Sequence, residues 1–305
     1  MLAIPHKAKQ FLILTVKLLI VSAALYYCFN HFQNNSNLVW KSTMSFLTVK
    51  TVVILLGFSA LNWILEILKW QNLVSYFKTI TFYEAAQQSL GSLTASIFTP
   101  NRIGEYGAKM LYFPKQNAKI IVLLNFISNT TQLIVTSLFG IIGLLNITTV
   151  FHSEIYLSLF IAFAIIMLLI FLKNIELFGF SIQRLLLKIK QIPQTILKKN
   201  GIYSVVRYLV FSHQFYFLLL VFGCNLEYTT ALFYIFSMYL LASIIPSIHF
   251  MDVAIKGSVA LFLFSKLGIE DWKIVTITSV IWLFNLVIPV SIGSYFVLRF
   301  KTVKA

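Results

Sequence analysis

Charged residues are scarce in this chain, and acidic residues are scarcer still. Only 11% of the 305 residues are Asp, Glu, Lys or Arg, whereas a soluble globular protein has about 25%. No segment is long and polar enough to form a separate catalytic domain. Apolar residues make up 59% of the chain, and several apolar runs approach the roughly 20 residues that a membrane-spanning helix needs. The sequence therefore predicts an all-α integral membrane protein with a single polytopic domain over residues 1–305.

Cysteines and short catalytic motifs are also few. Cys28 and Cys224 are the only cysteines, and neither belongs to a CxxC pair, which excludes that type of zinc or redox motif. The sequence contains no HExxH, GxSxG or Walker loop, so it offers no familiar catalytic set. We therefore expect no metal, no cofactor and no enzymatic activity. The sequence leaves open whether the two cysteines form a disulfide.

The net charge of +15 comes from basic residues near the ends of the apolar runs. These residues form no basic patch with interleaved aromatic residues, so we expect no nucleic-acid partner. Lys and Arg accumulate on the cytoplasmic side of membrane proteins. Fifteen of them fall on one side of the predicted spans and four on the other, with Lys69 counted among the fifteen. This asymmetry predicts a protein of the cytoplasmic membrane with both termini in the cytoplasm.

The apolar runs are arranged in two similar sets. Six long spans are predicted, near residues 10–29, 51–70, 118–145, 151–172, 202–222 and 274–298. Two further segments, 82–113 and 229–267, each consist of two short apolar arms around a polar break. The orientation requires the first segment to enter from the cytoplasm and the second from outside. We predict an inverted repeat with halves of about 1–149 and 150–305, each with two spans, a helical hairpin and one span. Hydropathy alone would count eight membrane segments. This is a transporter architecture.

The two polar breaks have similar sequences, "SIFTPNRIGEYGAK" and "SIIPSIHFMDVAIK". Each contains a basic residue, an acid three positions later and a lysine four positions after that. The two sets are Arg102, Glu105, Lys109 and His249, Asp252, Lys256. This spacing places each set on one helix face and allows an i,i+4 ion pair between acid and lysine. A charge at the bilayer centre costs about 2.5–3.5 kcal/mol, so we expect both sets to face an internal cavity. In the cavity, Arg102 and His249, which are not part of the acid–lysine pairs, would bind an anionic ligand. The alternative is that the charges lie at the level of the lipid headgroups.

Polar residues on neighbouring spans favour the cavity. One helical face carries Asn125, Asn129, Gln132 and Thr136, and its counterpart in the second half carries Thr278, Trp282, Asn285 and Pro289. Either substrate contacts or hydrogen bonds between helices would account for these residues. Of them, Asn125, Asn129 and Asn285 join the two charged sets as predicted binding residues. Glu66 and His213 are weaker candidates. We expect Lys69 and Arg207 to lie at span ends, where long basic side chains reach the headgroups.

The stretch "TPNRIGE" resembles the signature P-x-R-x-G-E of the lysylphosphatidylglycerol synthase transmembrane-region family, the flippase-type membrane domain. The matching residues are Pro100, Arg102, Gly104 and Glu105. The resemblance extends over essentially the whole chain. The second hairpin departs from it, because a glycine-rich stretch that commonly precedes an acid in the family is replaced here by "PSIHFMD". The resemblance implies binding or movement of a polar-headed lipid across the cytoplasmic membrane. It also implies no synthase activity, because the soluble synthase domain has no counterpart in this sequence.

These observations favour a lipid translocase or lipid-binding transporter, with membrane lipids that have an anionic headgroup as partners. Two alternatives from other classes stay open. One is a membrane enzyme or accessory protein of polyprenyl-linked glycan or lipid synthesis, because a pocket for an anionic lipid suits a lipid-phosphate substrate equally well. The other is a transporter of small solutes or ions. The sequence does not specify the lipid, the energy coupling or the oligomeric state, and a homodimer is compatible with it.

Overall fold

A computed structural model describes residues 46–99, 103–147, 176–177, 180–245 and 252–300, and these residues are almost entirely helical. The predicted spans near 10–29 and 151–172 lie outside these ranges. The α-helices are α1 (Val49–Val74), α2 (Phe82–Ser96), α3 (Ile103–Met110), α4 (Ala118–Asn146), α5 (Ile182–Lys190), α6 (Gln194–Val221), α7 (Tyr228–Ile244), α8 (Asp252–Phe264), α9 (Asp271–Trp282) and α10 (Ile288–Arg299). A π-helical segment, Leu283–Val287, joins α9 to α10, and short 3-10 turns cover Lys115–Asn117 and Ser265–Leu267. Strands β1 (Glu176–Leu177) and β2 (Phe180–Ser181) form a two-residue antiparallel ladder.

Four helical runs in the described residues are long and apolar enough to cross a membrane: Val49–Val74, Lys115–Asn146, Gln194–Val221 and Asp271–Arg299. They correspond to the predicted spans near 51–70, 118–145, 202–222 and 274–298. The chain is therefore a membrane protein by the length and composition of its helices. Each of the two predicted hairpin segments contains two shorter helices, α2 and α3 in the first and α7 and α8 in the second.

A capping box fixes the start of α2. The backbone N–H and the hydroxyl of Thr81 donate hydrogen bonds of 2.7 and 3.0 Å to the carboxylate of Glu84, whose own N–H donates back to the Thr81 hydroxyl. This reciprocal arrangement satisfies donors that the first helical turn leaves free. These hydrogen bonds lower the pKa of the Glu84 carboxyl, and the bond from the Thr81 backbone N–H has the largest effect. They do so because they stabilise the charged carboxylate.

The helix ends gather at two opposite ends of the bundle. At one end, Phe77 packs on Phe113 and Tyr112 packs on Phe300, so α1, α3 and α10 finish there. The Asn72 amide donates to the carbonyl of Ile196, which places the beginning of α6 at the same end. α4 and α6 both begin near this end and are 29 and 28 residues long, so they finish at the other end.

The helices also pair in a regular way. α1 packs along α6, α4 packs along α7, and α10 packs along α2. Glycines allow the last two contacts to be close. A Cβ atom at Gly140 or Gly143 of α4 would overlap atoms of α7, and one at Gly293 of α10 would overlap the Leu90 carbonyl oxygen and the Thr94 hydroxyl of α2. α4 and α10 therefore each pack closely against a shorter helix of a predicted hairpin segment, α7 and α2 respectively.

Substitution of Gly293 by alanine is expected to lower the free energy of unfolding by about 1–3 kcal/mol, because the backbone of α2 cannot move aside as a side chain can. A matched control is Gly57→Ala on α1, since no described atom lies within 4 Å of a Cβ at that position and alanine favours the helix. Thermal unfolding of both variants in detergent micelles measures the difference. A melting temperature for Gly293→Ala at or above that of Gly57→Ala would contradict the close packing of α10 on α2.

Candidate binding cavity and its buried charges

Three buried ionisable side chains form a network between α1 and α6. Glu66 and Lys69 are three residues apart on α1 and therefore share a helix face, and their carboxylate and ammonium groups are 2.9 Å apart. The guanidinium of Arg207 on α6 lies 3.1 Å from the same oxygen, Oε2 of Glu66. All three residues are less than one tenth exposed. We call Glu66, Lys69 and Arg207 the charged trio.

The trio corrects two expectations. Lys69 and Arg207 were both expected at span ends, with their side chains reaching the headgroups, but α1 continues to Val74 and both side chains are buried. An acid within reach explains the difference, because Glu66 allows both cations to be buried as partners of one carboxylate. Without Lys69, the side predicted to be cytoplasmic has fourteen Lys and Arg against four on the other, so the predicted orientation stays the same. Glu66, a weaker candidate in the sequence, is the centre of the network.

A chain of amide side chains continues from the trio. Nε of Arg207 donates a 2.9 Å hydrogen bond to the Asn62 carbonyl oxygen, and the Asn62 amide donates at 2.9 Å to Asn285. Asn285 in turn donates at 2.7 Å to Gln214 on α6. On the other side, Gln132 of α4 accepts a 3.4 Å bond from Arg207. The predicted binding residue Asn285 is thus part of a polar network that links α1, α4, α6 and the π-helical segment.

The π-helical segment is followed closely by Pro289, which has no backbone N–H to donate. Because this N–H is missing, the carbonyls of Phe284 and Asn285 lack their usual donors within the helix. Ser59 and Trp63, four residues apart on α1, supply the missing donors: the Ser59 hydroxyl donates to Phe284 at 2.5 Å and the Trp63 indole to Asn285 at 3.1 Å. Neighbouring helices commonly satisfy carbonyls freed by proline inside membranes. The network and the local helix geometry therefore depend on the same face of α1.

The first hairpin carries a second buried ion pair. Lys109 Nζ lies 2.7 Å from the Glu105 carboxylate, donates to the Asn125 carbonyl oxygen at 2.8 Å, and stands 4.0 Å from the centre of the Trp70 ring. Trp70 donates its own indole N–H to Gln88 at 2.7 Å. Glu105 and Lys109 are almost fully buried, so this pair is a packed part of the helix bundle.

The second hairpin carries the corresponding pair in a different environment. Lys256 Nζ lies 2.6 Å from the Asp252 carboxylate, and their side chains are 37% and 28% exposed. Both i,i+4 ion pairs expected from the sequence are thus present. Arg102 and His249, the expected ligand-binding members of the two sets, lie outside the described residues.

A cavity of about 570 Å³ lies between the helices. Its polar wall is formed by Asn62, Lys69, Tyr106, Asn129, Gln132, Thr136, Arg207, Asp252, Lys256, Thr278 and Asn285. Of the predicted binding residues, Asn129, Asn285, Asp252 and Lys256 therefore line the cavity. Glu105, Lys109 and Asn125, which were predicted to bind the ligand with them, are not among its lining residues; they contact one another inside the helix bundle.

The cavity has an apolar side as well. Leu133, Ile244 and Ile245 line it and are also substantially exposed at the protein surface. Leu133 belongs to α4, and the two isoleucines lie where α7 ends. The cavity is therefore polar at the charged trio and apolar where α4 and α7 meet the surface.

The remaining sequence candidates lie elsewhere. His213 is not among the cavity-lining residues, and its ring contacts the Tyr228 hydroxyl at 2.7 Å. Among the described residues, no three His, Cys, Asp or Glu side chains are close enough to hold a metal ion. Comparison of the chain with protein-family models, with curated proteins and with solved structures gives no match in any of the three.

Proposed function

We propose that the protein binds and translocates a membrane lipid that has an anionic or polar headgroup. The observation that carries the proposal is the cavity, which combines a polar wall that includes Lys69 and Arg207 with an apolar side at the surface. A lipid has the same division, since its headgroup is polar and its acyl chains are hydrocarbon. The headgroup would occupy the polar end while the chains stay in the bilayer. The exposed Leu133 and Ile244 suit contact with acyl chains, because lipid tails are as apolar as these side chains.

The inverted repeat is part of this proposal. The helices α1, α2 and α3 would correspond to α6, α7 and α8, and α4 to the run from α9 to α10. Under this correspondence, the packing of α4 on α7 matches that of α10 on α2, and the contact of α3 with α4 matches that of α8 with α9. The first hairpin begins and ends at the end of the bundle where α1 finishes. The second lies between the end of α6 and the start of α9, where Phe222 packs on Trp272, which supports opposite orientations. Such repeats are typical of transporters that alternate between two accessible states.

Membership of the lysylphosphatidylglycerol synthase transmembrane-region family remains a proposal based on the P-x-R-x-G-E residues. In that framework the protein acts in the cytoplasmic membrane without synthase activity. The ion pair of Glu105 with Lys109 gives the glutamate of the signature a structural role. The cavity wall adds polar groups that the signature does not contain, notably Lys69 and Arg207.

Orientation in the membrane is tested by labelling of single cysteines in a background from which Cys28 and Cys224 have been removed. Cysteines at Asn35, Asn146 and Leu226 are expected to react with an impermeant maleimide added outside the cells. Cysteines at Lys78, Gln116 and Gln191 are expected to react only after permeabilisation, because basic residues mark the cytoplasmic side. Labelling of Gln191 from outside would overturn both the orientation and the inverted repeat.

Translocation is tested with purified protein in liposomes that contain a fluorescent anionic lipid, whose transfer between leaflets is followed by quenching from outside. The protein is expected to accelerate the transfer relative to protein-free liposomes. A variant that removes the cavity pair, Asp252→Asn with Lys256→Met, is expected to slow it. The matched control removes an ion pair outside the cavity, that of Glu270 and Lys273, whose groups are 2.9 Å apart, as Glu270→Gln with Lys273→Met. No acceleration over a broad panel of lipids would refute the proposal.

The same preparation separates the two alternative functions. Incubation with lipid phosphates followed by mass spectrometry detects turnover. A product that disappears in Asp252→Asn, whose side chain lines the cavity, would favour a membrane enzyme over a translocase. Uptake of a soluble ion or solute into liposomes, without lipid transfer, would favour a transporter of small solutes.

A further inference from the structure

The two proposed halves match residue by residue beyond their charged sets. The polar faces of α4 and of the run from α9 to α10 are each followed by a glycine: Gly140 lies four residues after Thr136, and Gly293 lies four residues after Pro289. A Cβ atom at Gly140 would overlap atoms of α7, and one at Gly293 would overlap atoms of α2. Under the proposed correspondence, the same position therefore makes the close helix contact in both halves.

An apolar cluster, which we call the closed cluster, bounds the cavity beside the first hairpin. Its six side chains are less than one tenth exposed: Leu93, Ile97, Val253, Trp282, Leu286 and Val290. Four of them line the cavity, whereas Ile97 and Val290 are not among its lining residues. Phe98 and Ile292, which are close in sequence to those two, are exposed at the surface. The closed cluster therefore lies between the cavity and the protein surface.

The matching positions on α4 and at the end of α7 are open instead. Alignment of "SIFTPNR" with "SIIPSIH" matches Ile97 with Ile244, and alignment of the two polar faces matches Leu286 with Leu133. Ile97 is 0% exposed and Leu286 8%, whereas Ile244 is 67% exposed and Leu133 51%. Ile244 and Leu133 also line the cavity where it meets the surface. The same two positions are therefore sealed beside the first hairpin and open beside the second.

The difference between the two sides is local. The counterparts of the other four members of the closed cluster are all buried or partly buried: Leu240, Tyr106, Asn129 and Ser137. A change at two positions is a small rearrangement of helix ends. Inverted repeats allow two packings of the same elements, and two such states commonly differ by only a few kcal/mol.

We propose that the closed cluster covers a second lateral opening of the cavity, between α2 and the run from α9 to α10. This opening takes the acyl chains of the lipid when the opening at Leu133 and Ile244 closes. The inference rests on the proposed function and adds the exit that translocation requires. Because the proposed inverted repeat relates the two openings, they face opposite leaflets. The apolar side chains of the cluster suit this role, since lipid tails are as apolar as the packing that they would leave.

The test measures how fast an N-alkyl maleimide dissolved in the bilayer reacts with single cysteines of the reconstituted protein, in a background without Cys28 and Cys224. Ile244→Cys reports the open side and Ile97→Cys the closed cluster. Ile121→Cys is the matched control, because Ile121 is also 0% exposed but belongs to another apolar cluster. Ile97→Cys is expected to react at about 0.1–10% of the rate of Ile244→Cys, the usual population of a minor state. Ile121→Cys should react far more slowly, since its exposure requires global unfolding.

Equal reaction rates for Ile97→Cys and Ile121→Cys would overturn the second opening. Val290→Cys repeats the measurement from α10, at the other position of the closed cluster that is not among the cavity-lining residues. The result therefore does not depend on the folding of a single variant.

The same reagent tests whether the second opening takes part in lipid transfer. An alkyl chain attached at Ile97→Cys prevents the closed cluster from packing again, so lipid transfer is expected to fall in proportion to the labelled fraction. Gly57→Cys is the control, since Gly57 is exposed on α1 and its labelling should leave transfer unchanged. Full transfer by protein that is completely labelled at Ile97→Cys would overturn the proposal.

The outcomes separate the second opening from translocation itself. Lipid transfer by a protein in which neither Ile97→Cys nor Val290→Cys reacts faster than Ile121→Cys overturns the second opening and supports translocation. Conversely, fast labelling of Ile97→Cys in a protein that transfers no lipid overturns translocation and leaves the second opening in place.

Discussion

Replacement of Glu66 by alanine is expected to lower the free energy of unfolding by about 3–5 kcal/mol, the cost of breaking a buried ion pair by removal of one partner. Glu66 is the shared partner of Lys69 and Arg207, at 2.9 and 3.1 Å. Its loss would leave two buried like charges next to each other between α1 and α6. The yield of folded protein and its melting temperature in detergent measure the effect.

The control for Glu66→Ala is Glu227→Ala, which removes an acid whose contacts, to the Thr229 and Thr230 hydroxyls, are exposed. Surface changes of this kind are expected to cost no more than about 0.5 kcal/mol. The double variant Glu66→Ala with Lys69→Met leaves one buried cation in place of two and should recover part of the lost stability. Equal melting temperatures for Glu66→Ala and Glu227→Ala would show that the trio is hydrated and carries no buried charge.

The helices were predictable because they depend on local sequence. Apolar runs of sufficient length predict spans wherever they occur, and the four long runs of the described chain follow the expected positions within a few residues, except that α6 begins about two turns early. The i,i+4 ion pairs were predictable for the same reason, since four residues make one helical turn. Both Glu105 with Lys109 and Asp252 with Lys256 form them.

The charged trio was not predictable because it depends on the contact between α1 and α6, which joins residues far apart in the chain. Hydropathy places Lys69 near the end of a run and gives no information about what packs there. The signal that could have identified it is Glu66, because an acid three residues before a lysine inside an apolar run implies a buried pair. Arg207, in the middle of α6, is the second such signal.

The burial of the two hairpin pairs was not predictable either. The sequence gives them the same spacing, yet Trp70 and Asn125 cover Lys109, whereas Lys256 is half-buried at the cavity. Trp70 belongs to α1 and Asn125 to α4. Similar sequences in the two hairpins do not determine which helices pack over each ion pair. The two pairs consequently allow one motif to be tested in two environments.

Glu105→Ala is expected to lower the free energy of unfolding by about 3–5 kcal/mol, because it leaves Lys109 charged and buried under Trp70. The double change Glu105→Ala with Lys109→Met removes both charges, keeps most of the lysine volume and should recover much of the loss. Asp252→Ala is the matched control, since its pair has the same spacing but is partly exposed, and we expect a cost of about 0–1 kcal/mol. Arg102→Ala, which removes the basic residue of the P-x-R-x-G-E signature, should reduce lipid transfer with little loss of folded protein. Melting temperatures in detergent rank the variants. Similar small losses for Glu105→Ala and Asp252→Ala would mean that water reaches both pairs, and the first hairpin would then face the cavity as the sequence alone suggests.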